Sequence, residues 1–180
     1  MVIGLSAGGM NALTQMLPNI KASFNPSIII VQHLHPQQGK FHLEYFSSKC
    51  KLPVHEAMER EKVERSTIYF APPNYHLLLN DDETFCFNVD GKINYCRPAV
   101  DALFESASDL YGSLLMGVIL TGANNDGAKG LLRIKQNGGY TIVQTPEEAE
   151  AKQMPVSAIE IARPHKVMKI SEITTFLNTL

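Results

Sequence analysis

Cysteine is scarce and unpatterned in this chain. Cys50, Cys86 and Cys96 are the only three, and none form a C-x-x-C pair. An odd, scattered set excludes a disulfide framework or a cysteine-rich zinc site and reads as reduced thiols of a cytoplasmic protein. Excess charge of either sign is also missing. Sixteen Lys and Arg stand against 18 Asp and Glu, a formal net charge of −2. No basic field is available to hold nucleic acid or an anionic membrane. No apolar run approaches the roughly 20 residues of a membrane span, so membrane insertion is not expected. The chain opens directly on the strand-like Val2-Ile3, so a signal peptide is not expected either. Repeats, low-complexity tracts and linker-like stretches are lacking. The 180 residues, 44% apolar and 19% charged, predict one globular domain spanning 1–180.

Two common cofactor signatures are absent too. Gly4-Leu5-Ser6-Ala7-Gly8-Gly9 places serine where a dinucleotide fingerprint needs its second glycine. The next apolar run ends in Gln32-His33 rather than in the acid that would hold a ribose. His33-x-His35 has the spacing of a ligand pair, and His42, His55 and His76 exist. No H-E-x-x-H accompanies them, and a zinc site needs three or four converging ligands. Neither a metal nor another cofactor is therefore expected.

What is present is alternation. Short apolar runs at Val2–Leu5, Ser27–Gln32, Pro53–Ala57, Ile68–Phe70, Leu114–Leu120, Tyr140–Gln144 and Lys166–Ile170 read as strands. Helical spacing is read at Met10–Leu17, Phe41–Cys50, Pro98–Leu110, after Gly127 to Gln136, Pro155–Ala162 and Ser171–Leu180. Pro98 suits a first helical turn and Ser171 a helix cap. His76–Leu79 and Thr84–Asn88 flank the polar turn Asn80-Asp81-Asp82 and predict a β-hairpin. The charged stretch Glu59–Arg65 reads as a solvated loop or turn. The fold class predicted is α/β: a three-layer, doubly wound, mostly parallel sheet with helices on both faces and an added hairpin.

In such a sheet, ligands bind beyond the carboxyl ends of the strands. Three chemistry-bearing residues fall there. Gly4-Leu5-Ser6-Ala7-Gly8 spells G-x-S-x-G, a strand turning sharply into a helix with a serine at the turn. His33 follows the second strand and can take a proton near neutral pH. Asp126 follows the most apolar strand, in Thr121-Gly122-Ala123-Asn124-Asn125-Asp126-Gly127, and can orient an imidazole. Each has a bland alternative. Ser6 suits a helix cap, His33 a loop histidine, and Asp126 a helix N-terminus. His35 competes with His33 as the base but lies farther from the strand end. The coincidence of all three at one sheet edge favours a nucleophile, a base and an orienting acid.

Several segments together resemble the catalytic domain of the chemotaxis protein-glutamate methylesterases. They are Ile3–Gly9, Val31–Leu34, Phe70–His76, Arg97–Phe104, Leu120–Ala128, Gln144 and Met154–Ala158. The resemblance spans nearly the whole chain and keeps the motif order. It implies a serine, histidine, aspartate triad on Ser6, His33 and Asp126, with the Ala7 N–H as an oxyanion donor. The implied reaction is hydrolysis of γ-glutamyl methyl esters on a chemoreceptor's cytoplasmic helices, giving glutamate and methanol. Many members also deamidate receptor glutamines. The implied partners are the methylated receptor and signalling proteins.

The chain departs from the family pattern in three ways. Ala123 and Asn124 stand where methionine and glycine are common, so these two are expected to line the cleft. Ala7 replaces a common threonine but keeps its N–H. Typical members carry a receiver domain ahead of this one, for which these 180 residues leave no room. The expectation is a stand-alone esterase or a piece of a longer protein. A catalytically silent interaction module and a general small-molecule esterase are the rival readings.

Overall fold

The structure is a computed structural model that describes residues 1–33 and 41–180. Nine strands and six α-helices are present among the described residues. The strands are β1 (Val2–Leu5), β2 (Ile28–Gln32), β3 (Val54–Glu56), β4 (Ile68–Phe70), β5 (His76–Leu79), β6 (Phe85–Asn88), β7 (Met116–Ile119), β8 (Tyr140–Gln144) and β9 (Lys166–Met168). The helices are α1 (Gly9–Met16), α2 (Phe41–Lys49), α3 (Val100–Tyr111), α4 (Ala128–Gln136), α5 (Gln153–Ala162) and α6 (Ile170–Leu177).

Seven strands form a parallel sheet in the order β3-β4-β2-β1-β7-β8-β9. The β5–β6 pair is a separate antiparallel hairpin, with His76 opposite Asn88. The predicted fold class is therefore the observed one. Side chains alternate across the central strands, as the period of two requires. Ile3, Leu5, Ile28 and Ile30 join a core with α1, α2 and α6. Val2, Ile29 and Val31 join the opposite core, with α3, α4 and α5. Both faces being covered explains why these strands are apolar runs rather than alternating ones.

Chain order reverses direction across β1. The chain moves from β1 to β2 on one side and returns to β7 on the other. This is the switch point at which a doubly wound sheet opens a crevice. Ser6 directly follows β1, His33 directly follows β2, and the Thr121–Gly127 loop lies beyond β7. Hydrogen bonds lock the three ends together. His33 N donates to Leu5 O at 3.1 Å, Ser6 N to Thr121 O at 2.9 Å, and Leu120 N to Gly4 O at 3.0 Å.

Two local expectations differ from the structure. Helix α3 begins at Val100, so Pro98 lies before the helix rather than in its first turn. Helix α6 begins at Ile170, and its first free N–H is met by Glu172 Oε2, 2.8 Å from Lys169 N, not by Ser171. The charged stretch Glu59–Arg65 is the expected solvated loop or turn, and its backbone also bonds to the hairpin. Arg60 N donates to Phe85 O, Phe85 N to Glu61 O and Val63 N to Glu83 O, each at 2.9 Å. Its backbone pairs along the hairpin, while Glu59, Arg60 and Lys62 keep exposed side chains. Charge in the side chains hid the pairing of the main chain.

Candidate active site

The Ser6 turn is built for an exposed hydroxyl. Gly8 has φ +78, and a Cβ there would stand 2.6 Å from Glu150 Cβ, so only glycine fits. Gly9 N donates to Ser6 O at 2.8 Å, which closes the turn into α1. Thr121 braces it: its hydroxyl donates to Ala7 O at 2.8 Å and accepts from Ala151 N at 2.8 Å. Gln144 in turn holds Thr121, with Oε1 accepting Thr121 N–H at 2.9 Å. Ser6 is partly exposed and Ala7 exposed. Among the described residues the Ala7 N–H has no hydrogen-bond partner. It lies at the positive end of α1, where developing negative charge is stabilised.

Asp126 is fully buried at the side chain and accepts four hydrogen bonds. Oδ2 accepts His33 Nε2–H at 2.8 Å and Val100 N–H at 2.6 Å. Oδ1 accepts Asp101 N–H at 3.1 Å and Asn94 Nδ2–H at 3.3 Å. A carboxylate only accepts, so Nε2 carries the imidazole proton and Nδ1 is the base nitrogen. The bland reading of Asp126 was a residue at its own helix's N-terminus. In fact its carboxylate caps a different helix, α3, whose N-cap, Ala99, has no side-chain group to offer.

The capping is reciprocal. Asp101, in the first turn of α3, accepts Gly130 N–H of α4 at 2.7 Å. Gly130 permits this because a Cβ there would stand 2.5 Å from Phe104 Cβ and 3.2 Å from the Asp101 backbone. Asn94 bridges the two carboxylates, donating also to Asp101 Oδ2 at 3.2 Å. The two acids titrate in opposite directions. Burial, reinforced by the charge of Asp126, pushes Asp101 up to about 6. Burial pushes Asp126 up as well, but the hydrogen bonds from His33, Val100 and Asp101 outweigh it and hold Asp126 below the usual carboxylate range. Asp126 thus stays ionised beside the imidazole.

His33 responds to this carboxylate. Burial pulls its imidazolium down, but hydrogen bonds to Asp126 and Cys96, with the charges on both, raise it to about 9. The base nitrogen has unexpected company. Nδ1 lies 3.4 Å from Cys96 Sγ and 3.3 Å from Asn124 Nδ2. Among the described residues no hydrogen bond joins it to Ser6. Asn124 is also pinned at its other end, where Oδ1 accepts Asp126 N–H at 3.0 Å. The expected cleft liner is therefore a direct partner of the base. Ala123, beside it, is exposed. His35, the competing base, lies outside the described residues. His76 is buried in structural duty, with Nδ1 accepting Ala99 N–H at 3.2 Å. His33, Cys96 and Asp126 also stand close enough together to be considered as metal ligands. The NH₂ of Asn124, 3.3 Å from Cys96 Sγ, presents a donor there, which opposes a cation.

The residues read at the sheet edge are thus brought together: His33 bonds Asp126, and Ser6 directly follows the strand beside His33. Sequence reasoning missed Thr121, Asn94, Cys96 and Asp101 as parts of the site. Asp101 and Thr121 carried a signal, their places in the Arg97–Phe104 and Leu120–Ala128 segments; Asn94 and Cys96 carried none.

The CheB methylesterase profile matches residues 1–177. The chain belongs to the CheB methylesterase family. A protein-glutamate methylesterase/protein-glutamine glutaminase of Trichodesmium erythraeum is 36% identical over 95% of this chain and 49% of its own length. A relative from Leptospira interrogans, provisionally named for the same two activities, is 45% identical over 96% of this chain and 89% of its own length. The crystal structure of the Thermotoga maritima CheB methylesterase catalytic domain superposes with a TM-score of 0.95 at 35% identity, over 99% of this chain and 96% of that one. The chain thus spans most of the Leptospira relative and about half the length of the Trichodesmium one.

Proposed function

We propose that this methylesterase-family chain hydrolyses γ-glutamyl methyl esters on the cytoplasmic helices of chemoreceptors, and deamidates receptor glutamines by the same route. The observation that carries the reading is the 2.8 Å bond from His33 Nε2 to a buried, ionised Asp126, at the edge where Ser6 turns into α1. In this reading Ser6 Oγ attacks the ester carbonyl and His33 Nδ1 takes its proton. Asp126 fixes the tautomer and stabilises the imidazolium. The Ala7 N–H receives the oxyanion. The imidazolium then protonates methanol, and Nδ1 activates the water that releases the new glutamate. Partial exposure of Ser6 and exposure of Ala7 and Ala123 suit a substrate displayed on a helix surface. The proposed setting is the cytoplasm, with receptor and signalling proteins as partners. Consistent with that, no helix among the described residues is long and apolar enough to cross a membrane.

The partners of Nδ1 favour one alternative, a silent module that keeps the fold and the receptor contact but not turnover. Methanol release from methylated receptor decides between them, run beside hydrolysis of a small aryl ester. Ser6→Ala and His33→Gln should each lose nearly all release. Triad knockouts elsewhere cost roughly 10⁶ in turnover. An unaltered rate in Ser6→Ala would overturn the mechanism. Absence of release from the wild-type chain would favour the silent module.

A further inference from the structure

Cys96 stands in the same relation to His33 that a catalytic nucleophile has to its base. It closes a tight turn in which Ile93 N donates to Cys96 O at 3.1 Å and Cys96 N to Ile93 O at 2.8 Å. The two central residues, Asn94 and Tyr95, have φ of 49 and 66, as the mirror-image hairpin turn demands. Arg97 anchors the outgoing chain by donating to Val89 O at 2.6 Å and Asp90 O at 2.9 Å. The result is a line of three groups. Cys96 Sγ lies 3.4 Å from His33 Nδ1, and His33 Nε2 lies 2.8 Å from Asp126 Oδ2. Nucleophile, base and orienting acid are all within reach, the general signature of an activated thiol.

Two further contacts shape the sulfur. Asn124 Nδ2 is 3.3 Å away, and the pinned Oδ1 of Asn124 leaves the NH₂ as the end that faces it. That N–H end can donate to the sulfur. Asn94 O, 3.4 Å from Sγ, is an opposing acceptor. Cys96 is partly exposed, so a small reagent can reach it. Among the described residues no hydrogen bond joins Cys50 or Cys86 to a histidine. Burial pushes the Cys50 thiol up to about 11.

We propose that Cys96 is a second nucleophile that shares His33 and Asp126 with Ser6, that its substrate class is a hydroperoxide, and that its oxidation silences Ser6. The oxyanion donor, the Ala7 N–H, lies next to Ser6, so acyl transfer suits Ser6. A peroxide needs only a base and a proton donor, which Cys96 has. His33 Nδ1 takes the thiol proton, and the sulfur attacks the terminal peroxide oxygen. An S–O bond forms and the O–O bond breaks. The leaving alkoxide, or hydroxide where the substrate is hydrogen peroxide, takes the proton back from Nδ1 and departs as an alcohol or water. Sulfur is oxidised by two electrons to sulfenic acid and the peroxide is reduced. The new oxygen occupies Nδ1, the nitrogen Ser6 requires, until a thiol reductant removes it. The silencing rests on the function proposed above; the reactivity of the thiol does not.

The test treats the chain with hydrogen peroxide and traps sulfenic acid with dimedone, with peptide mass spectrometry assigning each cysteine. Cys96 should label at least about tenfold faster than Cys50 or Cys86, and His33→Gln should erase that advantage. Peroxide should stop methanol release in the wild type, dithiothreitol should restore it, and Cys96→Ala should release methanol equally with and without peroxide. A Cys50→Ser/Cys86→Ser variant, independent of any site residue, should keep both labelling and silencing. Equal labelling of the three cysteines, or an unchanged rate in folded His33→Gln, overturns the nucleophile. Equal peroxide inactivation of Cys96→Ala overturns the silencing. If no form releases methanol, the function fails while labelling still decides the thiol.

Discussion

Asp126→Asn is the most informative substitution because the two side chains have the same shape. Asp126 meets four donors: His33 Nε2, Val100 N, Asp101 N and Asn94 Nδ2. An amide offers one accepting oxygen and one nitrogen that cannot accept. With its oxygen toward His33 and Val100, the NH₂ is left against the Asp101 and Asn94 donors. With the NH₂ toward His33, Nε2 must become the acceptor and the proton moves to Nδ1. That tautomer cannot take a proton from Ser6. Neither orientation satisfies the site.

The magnitudes follow from these contacts. At least one buried N–H of α3 is orphaned, a loss of about 1–3 kcal/mol. For a chain of this size that lowers Tm by roughly 2–12 °C. The equivalent change in a serine protease lowers turnover by about 10⁴. Here a loss of at least about 100-fold in kcat, or about 2.7 kcal/mol of barrier, is expected, with KM little changed. Methanol release from methylated receptor gives kcat and KM, and calorimetry gives Tm. A variant within tenfold of wild-type kcat would refute the base–acid pairing, because the wrong tautomer or the lost charge must appear in the chemical step.

The other predictions concern the free nitrogen of His33. Turnover needs neutral imidazole, and the folded pKa is raised to about 9. The rate should therefore climb with pH between about 6.5 and 9, not level off near 6.5. A rate already flat above pH 7 would contradict this. The same shift makes the His33–Asp126 contribution to stability complete below the unfolded imidazole pKa and lost as pH rises through about 9, which unfolding midpoints across that range would detect. Asn124→Gly removes the 3.3 Å donor on Nδ1. At about 0.5–1 kcal/mol for such a bond, kcat should rise roughly two- to fivefold. A fall of tenfold would mean that Asn124 assists the reaction.

The sheet and its functional edge were legible because they depend on local signals. The apolar runs Val2–Leu5, Ile28–Gln32 and Met116–Ile119 mark buried parallel strands by themselves. Residues that follow such strands must lie at one edge, whatever their separation in sequence. The neighbours of His33 were not legible. Cys96 is 63 residues away and Asn124 is 91, and neither Nδ1 contact leaves a periodic trace. Helix starts failed for a related reason. Ala99 offers α3 no side-chain cap, and the cap comes from Asp126 on another loop. A rule that seeks a capping residue next to the helix cannot find one supplied across the fold. The backbone bonds of Arg60–Val63 to the hairpin were hidden because an irregular segment with solvated charges has no apolar alternation.

Reciprocal capping explains why these long-range neighbours are nonetheless fixed. Asp126 precedes α4 yet caps α3, and Asp101 begins α3 yet caps α4. Neither helix can shift along its axis without uncovering buried N–H groups, so the carboxylate facing His33 is held by both. That rigidity ends at Nε2. On the far side of the ring, among the described residues, Nδ1 meets a thiol and an amide at 3.3–3.4 Å, contacts long enough to exchange for a serine hydroxyl at small cost. The fixed side of His33 sets its tautomer. In the proposed mechanism the loosely held side leaves Ser6 and Cys96 competing for one nitrogen, and the chemistry at the thiol governs which of them has it.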